Sequence, residues 1–217
     1  MTVEDYQQIF HEIKNNITFI SSSLQFVEKK HPKVKDYSSW HDAMEEVNAL
    51  KKMLVDLSSA RLCDTINFQQ ISVQDFLNDL CHSCKNIFES PDFSYEIQCE
   101  NTLPDILIDT TRLKRAFSNL LKNAYEAMEE QGIVTIRAYS KENFVVFEII
   151  DTGGGIEPEY LSKIFTPFET TKENGTGLGL LITKQIVHAH NGQITIDSRP
   201  GDGSTFSVLI PCASNIL

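Results

Sequence analysis

His11 and Asn15 stand four residues apart in "IFHEIKNNITF", with Glu12 directly after the histidine. Residues at that spacing share one face of a helix. An imidazole with a pKa of about 6.5 is mostly neutral at pH 7, so it can attack an electrophile, carry a proton or bind a metal. Within this stretch alone, a packed, a solvated, a metal-binding and a reactive His11 are all open. Asn119 and Asn123 repeat the four-residue spacing in "NLLKNAYEAM". Their amides could hold a hydrated Mg²⁺ that bridges phosphates. "IIDTGGGI" runs a strand-like segment into Asp151, Gly153, Gly154 and Gly155. "GTGLGLL" places Gly175, Gly177, Gly179 and Leu180 at the opening of a helix. Glycine permits positive φ and close backbone approach, and a helix N-terminus behind such a loop offers free N–H groups to an anion. Each stretch alone fits an ordinary tight turn or solvated helix face. Together they make a nucleotide site, although neither a Walker lysine motif nor a Rossmann fingerprint in its strand–loop–helix context is present.

These groups need elements to hold them. Val3, Tyr6, Phe10, Ile13, Ile17, Ile20, Leu24 and Val27 alternate spacings of three and four, a heptad seam on one helix. "KKHPKVKDYSS" interrupts it, because Pro32 cannot sit inside a helix. A second seam follows at Trp40, Ala43, Val47, Leu50, Leu54 and Leu57. The two form an antiparallel helical hairpin. A hairpin alone leaves apolar side chains exposed, each forgoing roughly 1.5–3 kcal/mol. Pairing two hairpins into a dimeric four-helix bundle recovers that, so a homodimer is expected. On this seam His11 takes position b and Asn15 position f, so both point outward.

"LCDTINFQQ" leaves the seam and reads as a linker. Beyond it lie a helix in "VQDFLNDLCHSCKNIF", a strand in "FSYEIQCEN" and a long amphipathic helix in "DTTRLKRAFSNLLKNAYEAMEEQG", with Gly132 near its stop. Paired strands "IVTIRAYS" and "NFVVFEIID", a helix ending at "HNG" and two strands around "RPGDG" complete the chain. Helices with antiparallel strands in this order predict an α/β sandwich, and an α+β chain overall. The boundaries expected are a hairpin domain over residues 1–66 and a nucleotide-binding domain over 67–217.

The formal net charge of −11 argues against nucleic acid, whose phosphates need basic surfaces. No apolar run reaches the roughly 18 residues of a membrane span, and the N-terminus lacks a signal peptide's apolar core, so a cytoplasmic protein is expected. Five cysteines without framework spacing fit a reducing compartment. Cys81 and Cys84 form a CxxC with no second pair, and are expected to be buried structural thiols.

The order of the motifs resembles the catalytic core of the sensor histidine kinases of two-component systems. "FHEIKNNI" resembles the phospho-acceptor box and "NLLKNAYEAM" the N box. "DTGGGI" resembles the first glycine box, "IFTPFETTK" the F box, "GTGLGL" the second glycine box and "GDGSTFSVLIP" the closing strand. The likeness covers essentially the whole chain and is strongest to the nitrogen-regulation and sporulation-kinase branch. It implies a Bergerat-fold ATP domain and a function: autophosphorylation on His11, with transfer to an aspartate of a response regulator.

The resemblance also implies roles. Asp151 would bind the adenine amino group, with Gly153 and Gly155 shaping that pocket. Asn123 would coordinate Mg²⁺, supported by Asn119. Residues 157–174 would be a lid anchored by Phe165 and Phe168. Lys172 could reach the γ-phosphate, while Gly175, Gly177 and Gly179, with Leu180, would cradle the phosphates. Thr205 would stand behind the adenine. Glu12 would accept the Nδ1 proton of His11, freeing Nε2 to attack. Asn15 would orient water for a phosphatase activity toward the regulator. Gyrase-like relatives carry a water-activating glutamate where this chain has Asn119, so a site of this kind can hold ATP without rapid hydrolysis.

Two other readings compete with this one. A non-enzymatic dimeric scaffold would lack one of the motifs, and none is missing. A serine kinase of the anti-sigma type would lack the hairpin that bears His11. His41, in "WHDAM", is a rival acceptor without an asparagine four residues on; His188 and His190 read as packing or surface residues. Ten residues precede His11, so the input is expected from a separate sensor protein or a sensor domain missing from this sequence.

Overall fold

The computed structural model describes residues 3–61, 66–84, 92–129, 131–172 and 175–213; the side chains of residues 3–12, 52, 55–61 and 84 lie outside that description. Two long helices, α1 (Val3–Lys30) and α2 (Ser38–Arg61), form the expected hairpin. Pro32 opens a 3₁₀ turn between them, Pro32–Asp36, where its missing N–H costs no hydrogen bond. The hairpin tip is tied by Glu28, which pairs with Lys35 at 2.8 Å and accepts from the Trp40 indole at 3.4 Å. Within the hairpin the Lys51 ammonium donates to Oγ of buried Ser21.

Only part of the α1 seam is covered by α2. Ile17 and Leu24 are half-buried, whereas Ile13, Ile20 and Val27 remain 43, 47 and 36 % exposed, and Leu50 on α2 is 43 % exposed. The described hairpin thus presents an apolar stripe that no described residue covers.

The second unit runs β1 (Gln69–Ile71), α3 (Val73–Cys84), β2 (Phe93–Cys99), β3 (Ile106–Ile108), α4 (Thr110–Ala127), β4 (Gly132–Lys141), β5 (Phe144–Asp151), a short α5 (Pro158–Leu161), α6 (Gly179–Ala189), β6 (Gln193–Ser198) and β7 (Ser204–Pro211). Five strands form one sheet in the order β2-β4-β5-β7-β6, and β1 pairs with β3 separately. One correction concerns β2. It runs parallel to β4, so the sheet is mixed rather than antiparallel. The connection from β2 to β4 passes through α4, and such a crossover sets two strands side by side in the same direction. The short strand β3 was not expected; three residues carry too little alternation to read.

α3, α4 and α6 cover one face of the sheet. The helix-covered face is apolar: Val134, Ile136 and Ala138 on β4 and Val145, Phe147 and Ile149 on β5 are buried. Phe76, Phe117 and Phe147 join helix to helix and helix to sheet through edge-to-face contacts of 5.2–5.8 Å, a geometry that aligns ring edge with ring face. The opposite face carries Arg137, which pairs with Glu148 at 3.0 Å, and Tyr139, which donates to Glu148 at 3.0 Å. The expected α/β sandwich is therefore two layers, one of helices and one of strands.

α4 is the spine of this unit. Asp109 caps it by accepting from Arg112 N at 3.1 Å, satisfying one of the free amides of the first turn. Leu113, Ala116, Phe117, Leu120, Leu121 and Ala124 recur at helical spacing and are buried, which leaves Asn119 and Asn123 at the border of the buried stripe. The helix ends at Ala127, with Met128 as its C-cap. Gly132 does not stop the helix; it begins β4 at φ 106°. No described helix is long and apolar enough to cross a membrane.

Candidate nucleotide site

Three expected motifs meet on α4. At its middle, the Asn119 amide donates to the Gly179 carbonyl at 3.2 Å. That contact docks the first residue of α6 against the helix. Gly179 also accepts from Thr183 Oγ1 at 3.0 Å. α6 has no capping side chain at Leu178, so its first turn keeps amides suited to an anion. Leu180 packs half-buried against the core.

At the C-terminal end of α4, Gly154 N donates to the Ala127 carbonyl at 3.4 Å. A Cβ at Gly153 would run into that same carbonyl, so the first glycine box lies directly on the helix. Gly155 has φ 70°, and a Cβ there would overlap the Arg199 carbonyl, which places the loop against the turn between β6 and β7. Thr152 contacts Met128 Sδ through both its N–H and its hydroxyl, each at 3.5 Å.

Asp151 ends β5 and is only 4 % exposed. Its carboxylate accepts from Gly153 N at 3.0 Å. Burial pushes its pKa up, partly offset by the backbone N–H groups of Gly153 and Ser204. The strand register moves the neighbouring hydroxyl from where it was expected. Asp151 pairs with Ser204, and Thr205 pairs with Ile150. Paired residues point to the same face and successive ones alternate, so Ser204 stands on the Asp151 face and Thr205 on the other. Ser204 Oγ lies 3.0 Å from Ser198 Oγ, and Ser198 in turn accepts from Ile156 N at 3.0 Å. This buried hydroxyl pair braces the loop behind Asp151 and was missed, because a strand's facing is settled by its partner.

Between the glycine boxes, residues 156–172 reach α4 and α6. Phe165 is half-buried with the Lys184 ammonium 5.1 Å from its ring centre. Phe168 differs from expectation: its ring is 60 % exposed, and its backbone makes the attachment. Phe168 N donates to the Gly177 carbonyl at 3.2 Å, with Phe168 at φ 66° and Gly177 at φ 64°. A side chain at Gly177 would collide with the Phe168 backbone, and one at Gly175 with Thr170. The Lys172 ammonium reaches α4, donating to Asn123 Oδ1 at 3.0 Å and pairing with Glu126. Asn123 and Glu126 thus present two oxygens to one cation. Oxygen donors of this kind fit Mg²⁺, and Glu126 was not singled out from the sequence.

On the hairpin, Asn15 is exposed. His11 and Glu12 belong to α1, but their side chains lie outside the described residues. His41 Nε2 is held 2.8 Å from the Lys35 carbonyl, which requires a proton on that nitrogen and removes its lone pair from attack. His190 is buried rather than a surface residue. Its Nδ1 faces the Ile186 carbonyl at 2.7 Å, its Nε2 accepts from Asp109 N at 2.9 Å, and Phe68 packs edge-on at 5.6 Å. It clamps the end of α6 to the start of α4. Cys81, Cys99 and Cys212 form no disulfide. No group of three or more His, Cys, Asp or Glu residues could hold a metal among the described residues.

Residues 108–214 match the family described as histidine kinase-, DNA gyrase B- and HSP90-like ATPases. Sporulation kinase C of Bacillus subtilis (strain 168) is 32 % identical over 212 residues, which are 95 % of this chain and 48 % of that protein. Both findings support a sensor histidine kinase catalytic core in this chain. Sensor histidine kinase ZraS of Escherichia coli (strain K12) is 28 % identical over 204 residues, 94 % of this chain and 44 % of that protein. Full-length ShkA, solved in complex with AMPPNP, shares the fold with a TM-score of 0.79 at 22 % identity, over 98 % of this chain and 46 % of that one. The chain spans about half the length of the curated relatives it matches. The stretch that resembles the N box lies on the border of α4, the two that resemble glycine boxes are the loops docked on it, and the one that resembles the F box carries Lys172.

Proposed function

We propose that this chain is the core of an ATP-dependent protein-histidine kinase that phosphorylates His11 and passes the group to an aspartate of a response-regulator receiver domain. The observation that carries the reading is the convergence on α4 of Asn119, Asn123, the Asp151 loop and the α6 N-terminus, in one chain with a hairpin bearing His11. ShkA was solved with AMPPNP, which supports ATP as the nucleotide here.

The reading assigns each group a task. Asp151 accepts from the adenine amino group, with Ser204 and Gly153 holding the carboxylate in place. The α6 N-terminus, Gly175, Gly177 and Gly179 receive the phosphates. Asn123 would hold Mg²⁺, which would supply positive charge to neutralise the phosphates. His11 Nε2 attacks the γ-phosphorus; an N–P bond forms, the bond to the bridging oxygen breaks, and that oxygen leaves with ADP. Glu12 accepts the Nδ1–H bond, so the lone pair stays on Nε2. Positioning and electrostatics carry most of such a transfer. Asn119 is an amide and activates no water, which preserves ATP for His11. Asn15, one turn beyond His11, orients water against the aspartyl phosphate when the regulator is docked.

We assign residues 1–66 to dimerisation and phosphotransfer and residues 67–217 to ATP binding. The exposed stripe of Ile13, Ile20, Val27 and Leu50 supports a second copy of the chain as its cover, completing a four-helix bundle. The kinase core operates in the cytoplasm.

Incubation with γ-labelled ATP tests the reading. Label that is acid-labile and base-stable, absent in His11→Gln with AMPPNP binding retained, is the expected result. Label that survives in His11→Gln, or that is acid-stable, rejects it.

A further inference from the structure

Lys172 is a lid residue, and its ammonium lies on α4. It donates to Asn123 Oδ1 at 3.0 Å and pairs with Glu126 Oε2. Asn123 and Glu126 are three residues apart on one helix, a spacing at which side chains meet. The result is an amide oxygen and a carboxylate oxygen closing on a single positive charge. Lys122, one turn before Glu126, is 3.8 Å from its other oxygen, so Glu126 is oriented from both sides. An ordinary surface ion pair would involve the carboxylate alone and contribute little. Here the amide that the kinase reading gives to the metal is engaged by the same cation.

We propose that Glu126 is a further metal-binding group of the nucleotide site, and that Lys172 and the metal compete for the oxygen pair it forms with Asn123. An ammonium and a hydrated Mg²⁺ both seek oxygen donors, and Mg²⁺ is held by one or two protein oxygens while keeping several waters. Glu126 contributes directly or through one of those waters. The pair cannot hold both cations, because a positive charge already between the oxygens repels the second. Metal entry releases Lys172 and with it the lid segment, which leaves the lysine free to turn to the phosphates. Metal binding and lid position are thereby coupled through one carboxylate, and the coupling is reciprocal.

This inference rests on the kinase reading, and the experiment separates the two. AMPPNP binding to the full chain is measured calorimetrically in EDTA and in excess Mg²⁺. The ratio of the two dissociation constants reports the contribution of the metal in the site. Glu126→Gln is expected to reduce that ratio at least about fivefold, and Lys172→Met to increase it by a similar factor. In the double variant, Lys172→Met should shift the ratio far less, because its hold on the pair runs through Glu126. If Glu126→Gln and Lys172→Met change both dissociation constants by the same factor, the contacts are structural only and the inference fails. If Lys172→Met raises the ratio equally with and without Glu126, competition at the oxygen pair is wrong. In both cases the kinase reading stands, since the wild type still binds AMPPNP. A wild-type chain that binds AMPPNP under neither condition overturns the nucleotide site and the inference together.

Discussion

The Asn119 amide donates to the Gly179 carbonyl at 3.2 Å, joining α4 to the first residue of α6 across 60 residues of sequence. This bond sets the distance between the helix that carries Asn123 and the helix whose N-terminus is proposed to receive phosphate. Asn119→Leu removes the donor and leaves the carbonyl facing an apolar group. Denaturant unfolding should show a loss of about 1 kcal/mol. AMPPNP affinity should fall by about tenfold, since a small displacement of the α6 N-terminus lengthens its bonds to phosphate. A loss of stability with unchanged affinity would reduce Asn119 to a packing role.

Asp151 gives a prediction with a definite sign. Burial raises its pKa above the ordinary carboxylate value, and the N–H groups of Gly153 and Ser204 only partly reverse this. The folded state therefore favours the protonated acid. That stabilisation is fully present below the unfolded pKa of about 3.9 and is lost as pH rises through the higher folded value. At pH 7 the ionised group costs stability. Asp151→Asn should melt at a higher temperature than the wild type at pH 7, with the difference closing below about pH 4. The same variant should lose AMPPNP binding by at least about tenfold, because in the proposed site an NH₂ donor then replaces one of the two oxygens that can accept from the adenine amino group. Scanning calorimetry across pH gives the first result and calorimetric titration the second.

His190 titrates with the opposite consequence. Burial lowers its pKa, partly offset by the Ile186 carbonyl and the Asp109 charge, while Arg112 lowers it further. The folded state favours the neutral ring, which accepts from Asp109 N through Nε2. This contribution is present above the unfolded value of about 6.5 and is lost as pH falls from there to the lower folded value. Melting temperature should drop as pH falls below about 6.5. His190→Gln should flatten that slope although it lowers stability at pH 8. A slope identical in the variant would assign the pH dependence to other groups.

Much of the hairpin was legible residue by residue. Spacings of three and four marked α1 and α2, and Pro32 marked the turn, because helical period and proline geometry act over a few neighbouring residues. The same locality made the amphipathic α4 readable, and with it the shared face of Asn119 and Asn123. Glycines at Gly155 and Gly177 were visible as special positions, since positive φ is a property of a single residue. Motif order then supplied the roles, as a likeness to a family rather than from local physics.

Contacts between distant segments required the fold. Whether Ser204 or Thr205 stands beside Asp151 depends on register with β5, and a one-residue slip turns every side chain to the other face. The parallel pairing of β2 with β4 followed from the crossover through α4, which the alternation of β2 does not encode. Phe168 proved to anchor by its backbone, Lys172 to meet Asn123 and Glu126, and His190 to join α6 to α4. Each of these links residues more than eight positions apart, where packing decides. By itself the sequence determined which side chains could handle phosphate, metal and phosphoryl group, because residue type and local period are written in it. Only the tertiary structure decided which oxygens face the same cation and which hydroxyl faces Asp151. Those relations are fixed by strand register and helix docking, which arise when the whole core packs.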